Sequence, residues 1–235
     1  KRVEKIAVLI DSTSFLSEEL KKELDIRTVY LNIVINNHSY KEIIDMTADK
    51  YYEYLRDTNN SFPTTSQPAI GEVVACLEKL KEEGYTDVIA IALSSGISGA
   101  CSSYTVAGLM VDGINVHPFD SEVSCKPEGW YAIKAANLIK EGKNSNQIIS
   151  ALNEMKKVSK AYFMADDLSH LQRGGRLSGA QALVGSLLQV KPLLHFEDKI
   201  IVPFQKIRTY KKVVLRMYEL FDEFYQEHKG ENIHV

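Results

Sequence analysis

Short apolar runs alternate with helix-like patterns through the first part of the chain, and this rhythm limits the fold more than any other feature. The runs Ile6–Ile10, Val29–Ile35, Val88–Leu93 and Ile114–Phe119 are each long enough for a buried strand. Strands that alternate with helices indicate a mostly parallel sheet that is covered on both faces. We therefore predict an α/β domain over residues 1–160.

The pattern changes after residue 160, where strands follow one another directly. Val190–Phe196 and Lys199–Lys206 predict a hairpin. A helical pattern over Ser178–Leu188 precedes this hairpin, and a longer one over 210–228 follows it. Adjacent strands combined with helices are typical of an α+β domain, which we place at residues 161–235 as the smaller of two domains.

The composition excludes several classes of function. The net charge of −3 at pH 7 argues against nucleic acid as the main partner, because phosphate binding needs a concentrated basic face. Cys76, Cys101 and Cys125 form no C-x-x-C pair, so we expect neither a metal site nor a disulfide framework, and a cytoplasmic location fits. No apolar run reaches the roughly 20 residues that span a bilayer, so we expect no membrane span.

Hydroxyl-rich segments follow three of the predicted strands, and a fourth precedes a predicted helix. In open parallel sheets, ligands bind outside the carboxyl ends of the strands, so we expect these segments to meet at one crevice. The alternative is that each segment only caps a helix, which is a common role of Ser, Thr and Asp. The four segments are Asp11-Ser12-Thr13-Ser14, Thr64-Thr65-Ser66, Ser94-Ser95-Gly96-Ile97-Ser98-Gly99 and Asp120-Ser121.

The residue types in these segments favour an anionic ligand. Hydroxyl groups and the free N–H groups at helix starts are hydrogen-bond donors. None of the four segments contains Lys or Arg, so a singly charged carboxylate fits better than a polyphosphate.

Catalysis by a serine of the Ser94–Ser98 loop is the alternative function, as an acyl hydrolase or acyltransferase. The loop lacks the G-x-S-x-G pattern of a nucleophile elbow and the G-K-[ST] ending of a P-loop. A general base is also hard to find, because His117 lies within a predicted strand. We therefore favour a binding protein that is not an enzyme.

These segments, together with later ones, resemble the DegV family of bacterial fatty-acid-binding proteins. The resemblance runs from the first strand to the last helix, and the order and approximate spacing of the motifs hold throughout. The later motifs are Asp167-Leu168, Leu171-Gln172-Arg173-Gly174-Gly175-Arg176, Lys191-Pro192-Leu193-Leu194 and Lys206-Ile207-Arg208-Thr209.

The resemblance implies a Rossmann-like first domain, an α+β second domain and one long-chain fatty acid bound between them. It further implies a carrier that presents the fatty acid to a separate ATP-dependent kinase for acyl phosphate formation and phospholipid metabolism. No metal and no cofactor other than the bound fatty acid is implied. Arg208 is predicted to neutralise the carboxylate or to orient the hydroxyls. Arg176 is a predicted partner contact, with a structural role at the domain junction as the alternative. The predicted carboxylate ligands are Thr65, Ser66, Ser94, Ser95 and Ser98, with Thr65, Ser94 and Ser95 foremost.

The chain departs from the family pattern in two places. Ala100 stands where the family usually has Thr after S-G, so this position supplies no hydroxyl. Asn232–Val235 resembles the opening of a strand, whereas the family continues for some tens of residues. We therefore expect the second domain to be truncated at its C-terminus.

Overall fold

A computed structural model of the chain describes residues 2–186 and 190–235, without the side chains of 184–186. These residues divide between two compact units, Lys1–Ser159 and Lys160–Val235. Within the described residues, no helix is both long enough and apolar enough to cross a membrane.

The first unit is built around a parallel sheet of four strands in the order β2-β1-β6-β7. The predicted α/β class with a mostly parallel sheet is confirmed, as are the predicted strands at the start of the chain and near residues 90 and 117. The seven strands of this unit are β1 Ile6–Asp11, β2 Ile26–Val29, β3 Asn32–Ile35, β4 His38–Lys41, β5 Thr64–Ser66, β6 Asp87–Ala92 and β7 Asn115–Asp120. Its six α-helices are α1 Glu18–Leu24, α2 Ala48–Arg56, α3 Ile70–Glu82, α4 Ala100–Met110, α5 Cys125–Lys140 and α6 Ser145–Val158.

Two hydrophobic cores lie on the two faces of this sheet. Every residue of β1 and β6 is buried, which explains why their sequences are continuous apolar runs and not alternating ones. On one face, Leu77 of α3 and Tyr104 of α4 are fully buried. On the other face, Ile148 and Leu152 of α6 pack with residues of α5. Such burial is worth about 1.5–3 kcal/mol for each large apolar side chain, so these cores hold the helices against the two faces of the sheet.

The prediction of one strand over Val29–Ile35 is wrong. The chain leaves the parallel sheet after Val29. Two residues later, Leu31 donates its N–H to Ser12 Oγ (2.9 Å) and not to a neighbouring strand. It then enters a separate antiparallel sheet in the order β4-β3-β5. Asn36 and Asn37, both at positive φ, form the tight turn from β3 to β4.

The second unit contains an antiparallel sheet in the order β10-β9-β8. Its strands are β8 Tyr162–Phe163, β9 Lys191–Glu197 and β10 Ile200–Ile207, and its α-helices are α7 Ser169–Arg173 and α8 Tyr210–Glu227. The predicted hairpin is confirmed as β9 and β10, which pair from Ile200↔Glu197 to Ile207↔Lys191. Asp198 and Lys199 make its turn, both with positive φ.

The helix predicted over Ser178–Leu188 is a 3-10 helix over Ser178–Ser186, and Leu187 and Leu188 lie outside the described residues. Ala180 interrupts the helix with a non-helical backbone (φ −131°, ψ 22°). The chain also passes so close to β10 that a Cβ on Gly179 would lie 2.5 Å from the carbonyl oxygen of Ile201. Only glycine fits at position 179, because any side chain there would overlap the backbone of β10.

Candidate functional site

The carboxyl ends of β1, β6 and β7 meet where the order of the parallel sheet reverses. β1 pairs with β2 on one side and with β6 on the other, and open sheets bind ligands at such a switch point. Asp11 Oδ2 accepts a hydrogen bond from the N–H of Leu93 (2.8 Å), and the N–H of Ser121 donates to the carbonyl oxygen of Ala92 (3.1 Å). These bonds bring three of the hydroxyl-rich segments to one edge of the sheet.

The loop from Ser94 to Gly99 connects β6 to α4 and is held by its own backbone. Ser94 is fully buried, and its N–H donates to the carbonyl oxygen of Val123 (2.7 Å). The carbonyl oxygen of Ser94 accepts from the N–H of Ser98 (3.1 Å). The loop therefore leads as a fixed turn into α4, whose N-terminus carries the partial positive charge of the helix dipole.

Ser95 and Ser98 lie on this loop, but their hydroxyl groups have different partners. Ser95 is exposed, and both its N–H (3.1 Å) and its hydroxyl donate to the carboxylate of Asp120. Ser98 Oγ instead accepts from the N–H of Ala100 at the start of α4 (3.2 Å). Ser98 therefore keeps its hydroxyl hydrogen for another acceptor, whereas that of Ser95 is used by Asp120.

Thr65 and Ser66 belong to β5, which pairs antiparallel with β3. Thr65 is exposed and Ser66 is half-buried. The next residue, Gln67, lies against the Ser94–Gly99 loop, because a Cβ built on Gly99 would be 2.9 Å from Gln67 Cδ. The structure thus brings the segment Thr65-Ser66-Gln67-Pro68 beside the loop, in agreement with the predicted convergence.

Three carboxyl groups lie beneath these hydroxyls. Thr13 Oγ1 contacts Asp11 Oδ1 (2.5 Å) and Glu128 Oε2 (2.7 Å), and both acidic residues are fully buried. Burial, followed by the charge of Asp11, raises the pKa of Glu128 well above its usual range. Ser12 Oγ donates to Glu42 Oε2 (2.6 Å), and burial raises the pKa of Glu42.

Glu128 and Glu42 are not part of any sequence motif that predicts a site. Glu128 occupies the first turn of α5, where an acidic residue is usually explained by the helix dipole and by exposure to solvent. Only the directly following Gly129 hints at close packing. A Cβ there would lie 2.7 Å from Leu16 Cδ2, so the start of α5 sits against the segment that follows β1.

The two predicted arginines belong to the second unit. Arg176 is half-buried, and its Nη1 donates to the carbonyl oxygen of Gly174. Arg208 is exposed and lies between the end of β10 and Thr209, the residue that caps α8. Their predicted roles therefore stay predictions.

Neither the histidine considered as a general base for a serine hydrolase nor a metal site lies at the Ser94–Ser98 loop within the described residues. His117, considered above as a general base, has its Nε2 3.0 Å from Asp87 Oδ1, at the amino ends of the strands and away from the Ser94–Ser98 loop. This position does not support the hydrolase alternative. Over residues 2–186 and 190–235, no group of three or more His, Cys, Asp or Glu side chains is arranged to hold a metal ion.

Comparison with known proteins places this architecture among related sequences. A family model described as "Uncharacterised protein, DegV family" matches residues 5–235. Protein DegV of Bacillus subtilis is 54% identical over 219 residues, which cover 93% of this chain and 77% of that protein. A DegV domain-containing protein of Listeria innocua is 48% identical over 232 residues, which cover 99% of this chain and 82% of that protein.

Two solved structures have the same fold. The crystal structure of DegV from Bacillus subtilis, described as a fatty acid binding protein, is 52% identical with a TM-score of 0.88, and the match covers 96% of this chain and 79% of that chain. A DegV family protein from Thermus thermophilus, solved in a study of its fatty acid binding, is 27% identical with a TM-score of 0.88. That match covers 95% of this chain and 79% of the other.

Proposed function

This chain belongs to the DegV family, and on that premise we propose that it binds one long-chain fatty acid and carries it without changing it chemically. The observation that carries the proposal is the set of hydroxyl groups gathered at the carboxyl edge of the parallel sheet, beside the N-terminus of α4. Relatives that are described as fatty acid binding proteins share the fold over almost the whole chain.

The carboxylate of the fatty acid is bound by hydroxyl donors in this proposal. Thr65 and Ser98 are the first candidates, because Thr65 is exposed beside the loop and Ser98 keeps its hydroxyl hydrogen. Ser66 and Ser94 add donors on the same two segments. Ser95 binds the ligand only if its hydroxyl turns away from Asp120. The role of Arg208 as the counter-charge rests on the family resemblance.

Burial of the acyl tail supplies most of the affinity. Each buried methylene contributes about 0.8 kcal/mol, so some 14 of them contribute about 11 kcal/mol before association costs of several kcal/mol. The head-group site then only has to satisfy the carboxylate, because a buried charge without partners would cancel much of that gain. Hydroxyl and N–H donors are sufficient for this task, and no nucleophile or base is required.

A carrier needs a second protein that uses its cargo. We assign that role to a separate ATP-dependent fatty-acid kinase, which forms an acyl phosphate on the presented carboxylate. Arg176 is the proposed contact to it, because arginine binds acidic groups in a fixed bidentate geometry. The chain itself contributes binding and orientation to this reaction.

Organic extraction of the purified protein followed by mass spectrometry tests the binding function. We expect one long-chain fatty acid per chain, and calorimetric titration of the delipidated protein with oleate should restore it. A protein that carries no acyl chain and takes up no oleate would refute the proposal.

The carrier role needs a separate experiment. The oleate-loaded protein is mixed with ATP and a bacterial fatty-acid kinase, and acyl phosphate is trapped with hydroxylamine. We expect acyl hydroxamate only when all three components are present. Turnover of acyl esters by the chain alone, abolished by Ser95→Ala, would instead support the hydrolase.

A further inference from the structure

Thr13 Oγ1 lies within hydrogen-bond distance of two buried carboxyl groups, at 2.5 Å from Asp11 Oδ1 and at 2.7 Å from Glu128 Oε2. A threonine hydroxyl has a single hydrogen and can donate only one of these bonds. The other bond forms only if that carboxyl group carries a proton and donates it to Thr13 Oγ1. Asp11 and Glu128 also hydrogen-bond each other directly. The three side chains together therefore fit one proton and one negative charge on the two carboxyl groups.

The proton belongs on Glu128. Asp11 accepts hydrogen bonds from the N–H groups of Thr13 (2.9 Å) and Leu93 (2.8 Å), and such donors stabilise an ionised carboxylate. Glu128 is fully buried, and burial together with the charge of Asp11 raises its pKa well above the usual range. Protonated Glu128 donates to Thr13 Oγ1 or directly to Asp11, and Thr13 Oγ1 donates to Asp11, so the negative charge stays on Asp11.

This chain of hydrogen bonds ends at the loop that carries the candidate ligands. Leu93, whose N–H is held by Asp11, directly precedes Ser94. These hydrogen bonds thus connect the first turn of α5 to the point where β6 ends and the Ser94–Gly99 loop begins. A change in the protonation of Glu128 acts on the loop through two intervening side chains.

We infer that Glu128 is a positioning residue for the fatty-acid head group, which in its protonated form holds the Ser94–Gly99 loop against β1 through Thr13 and Asp11. The inference rests on the proposed function. Loss of the proton places two negative charges beside one buried hydroxyl, so one carboxylate loses its hydrogen bond. The repulsion between the carboxylates then shifts Asp11, which holds the start of the loop through the N–H of Leu93. The neutral form also keeps a second negative charge away from the edge of the sheet where an anion binds.

The other titratable groups near Glu128, Thr13 and Asp11 do not supply a positive charge that would stabilise an ionised Glu128. Tyr104 on α4 is fully buried and Cys125 on α5 is exposed at its surface, and desolvation raises the pKa of both. Glu42, held by Ser12, adds a further acidic group near Asp11. The largest influences on the pKa of Glu128 are burial, Asp11, Thr13 and Cys125, and none of these supplies a positive charge.

Three variants test the inference by the pH dependence of oleate binding. Glu128→Gln donates to Thr13 Oγ1 but cannot ionise, and Glu128→Leu keeps the approximate volume but donates nothing. Glu19→Gln is the matched control, because Glu19 is also in the first turn of a helix but is exposed. Calorimetric titration with oleate is carried out as a pH series from about pH 6 to about pH 9, above the ordinary pKa of glutamate.

We expect the affinity of the wild type and of Glu19→Gln to fall about tenfold over this range. The affinity of Glu128→Gln should stay level, and that of Glu128→Leu should be weak at every pH. An equal pH dependence of the wild type and Glu128→Gln would overturn the inference. If Glu128→Leu fails to fold, the comparison between the wild type and Glu128→Gln still decides the question.

Thermal unfolding separates this inference from the proposed function. A carboxyl group whose pKa is raised by folding contributes stability below its unfolded pKa of about 4.3, and that contribution is lost as the pH rises towards the folded pKa. The Tm of the wild type should therefore fall relative to that of Glu128→Gln as the pH rises. A protein that never binds oleate but shows this difference refutes only the fatty-acid function, whereas parallel Tm curves refute the proton on Glu128.

Discussion

The side chain of Gln67 lies on the backbone of Gly99, and the contact is so close that a Cβ at position 99 would be 2.9 Å from Gln67 Cδ. This contact joins the segment that carries Thr65 to the loop that carries Ser98, although the two come from different sheets. The two hydroxyl segments are therefore brought together by a glycine, and a side chain at that position should break the contact between them.

Substitution of Gly99 by Ala should weaken fatty-acid binding with little loss of fold stability. The new methyl group displaces the flexible amide end of Gln67, so the side-chain contact between the segment Thr65-Ser66-Gln67 and the loop is lost while both backbones stay in place. A loss of about 1 kcal/mol corresponds to a five- to sixfold increase in the Kd for oleate, measured by calorimetric titration. Gly71→Ala on α3 is the control, because nothing lies within 4 Å of its Cβ position. Equal affinities of Gly99→Ala and the wild type would contradict the proposed role of the contact.

Three strands of the parallel sheet, β1, β6 and β7, could be predicted from sequence, whereas the edge strand β2 and the antiparallel sheet could not. β1 and β6 are buried on both faces, so their apolar runs identify them without tertiary information. β5 is only three residues of Thr and Ser, and it becomes a strand because β3 offers it hydrogen-bond partners. The position of Thr65 therefore depends on a pairing that no local pattern encodes.

Three of the hydroxyl segments could be predicted for the same reason, since they directly follow the apolar runs of β1, β6 and β7. The buried Glu128 could not, because its environment is made by Thr13 and Asp11, more than a hundred residues earlier in the chain. Its sequence position alone is that of an exposed acid at a helix start. The burial of Glu128 depends on residues far away in the chain, so no local sequence pattern predicts it.

Asp87 should make the protein more stable at neutral than at acidic pH. Burial alone would raise the pKa of this carboxyl, but hydrogen bonds from His117, Thr86 and Asn115 outweigh it and lower the pKa. The stability it contributes is present above its unfolded pKa of about 3.9 and is lost as the pH falls through the lower folded value.

Asp87→Asn should therefore have a lower Tm than the wild type at neutral pH, and the difference should shrink below about pH 4. Asp112→Asn, at an exposed position before β7, serves as the control. A Tm difference between Asp87→Asn and the wild type that is the same at both pH values would show that the charge of Asp87 is not involved.

Gly179→Ala should destabilise the second unit. The added Cβ would lie 2.5 Å from the backbone oxygen of Ile201 and 2.7 Å from Val202 Cγ1, and backbone cannot move aside as a flexible side chain does. Overpacking of this kind costs about 1–3 kcal/mol, which urea unfolding detects. A variant as stable as the wild type would mean that β10 yields at this point.

Ser95, which is exposed, and Ser98, which is half-buried, should respond differently to substitution. Ser98→Ala removes a hydroxyl that has its hydrogen available, so the Kd for oleate should rise about tenfold. Ser95→Ala removes the donor to Asp120 and should lower the free energy of unfolding by about 1 kcal/mol, with a smaller effect on Kd. The reverse ranking of the two Kd values would show that Ser95 leaves Asp120 to bind the ligand.

Thr65 and Thr64 provide the most direct test of the head-group site, because they are adjacent, exposed and on opposite faces of β5. Thr65 pairs with Ile33 and Thr64 with Val34, and successive side chains of a strand point in opposite directions. Thr→Val keeps the shape of the side chain and removes only its hydroxyl. Thr65→Val should therefore raise the Kd for oleate about tenfold, whereas Thr64→Val should leave it unchanged. Since both variants keep β-branched residues that favour strands, a change in Kd cannot be attributed to loss of β5. Equal Kd values for the two variants would exclude Thr65 as a ligand of the carboxylate.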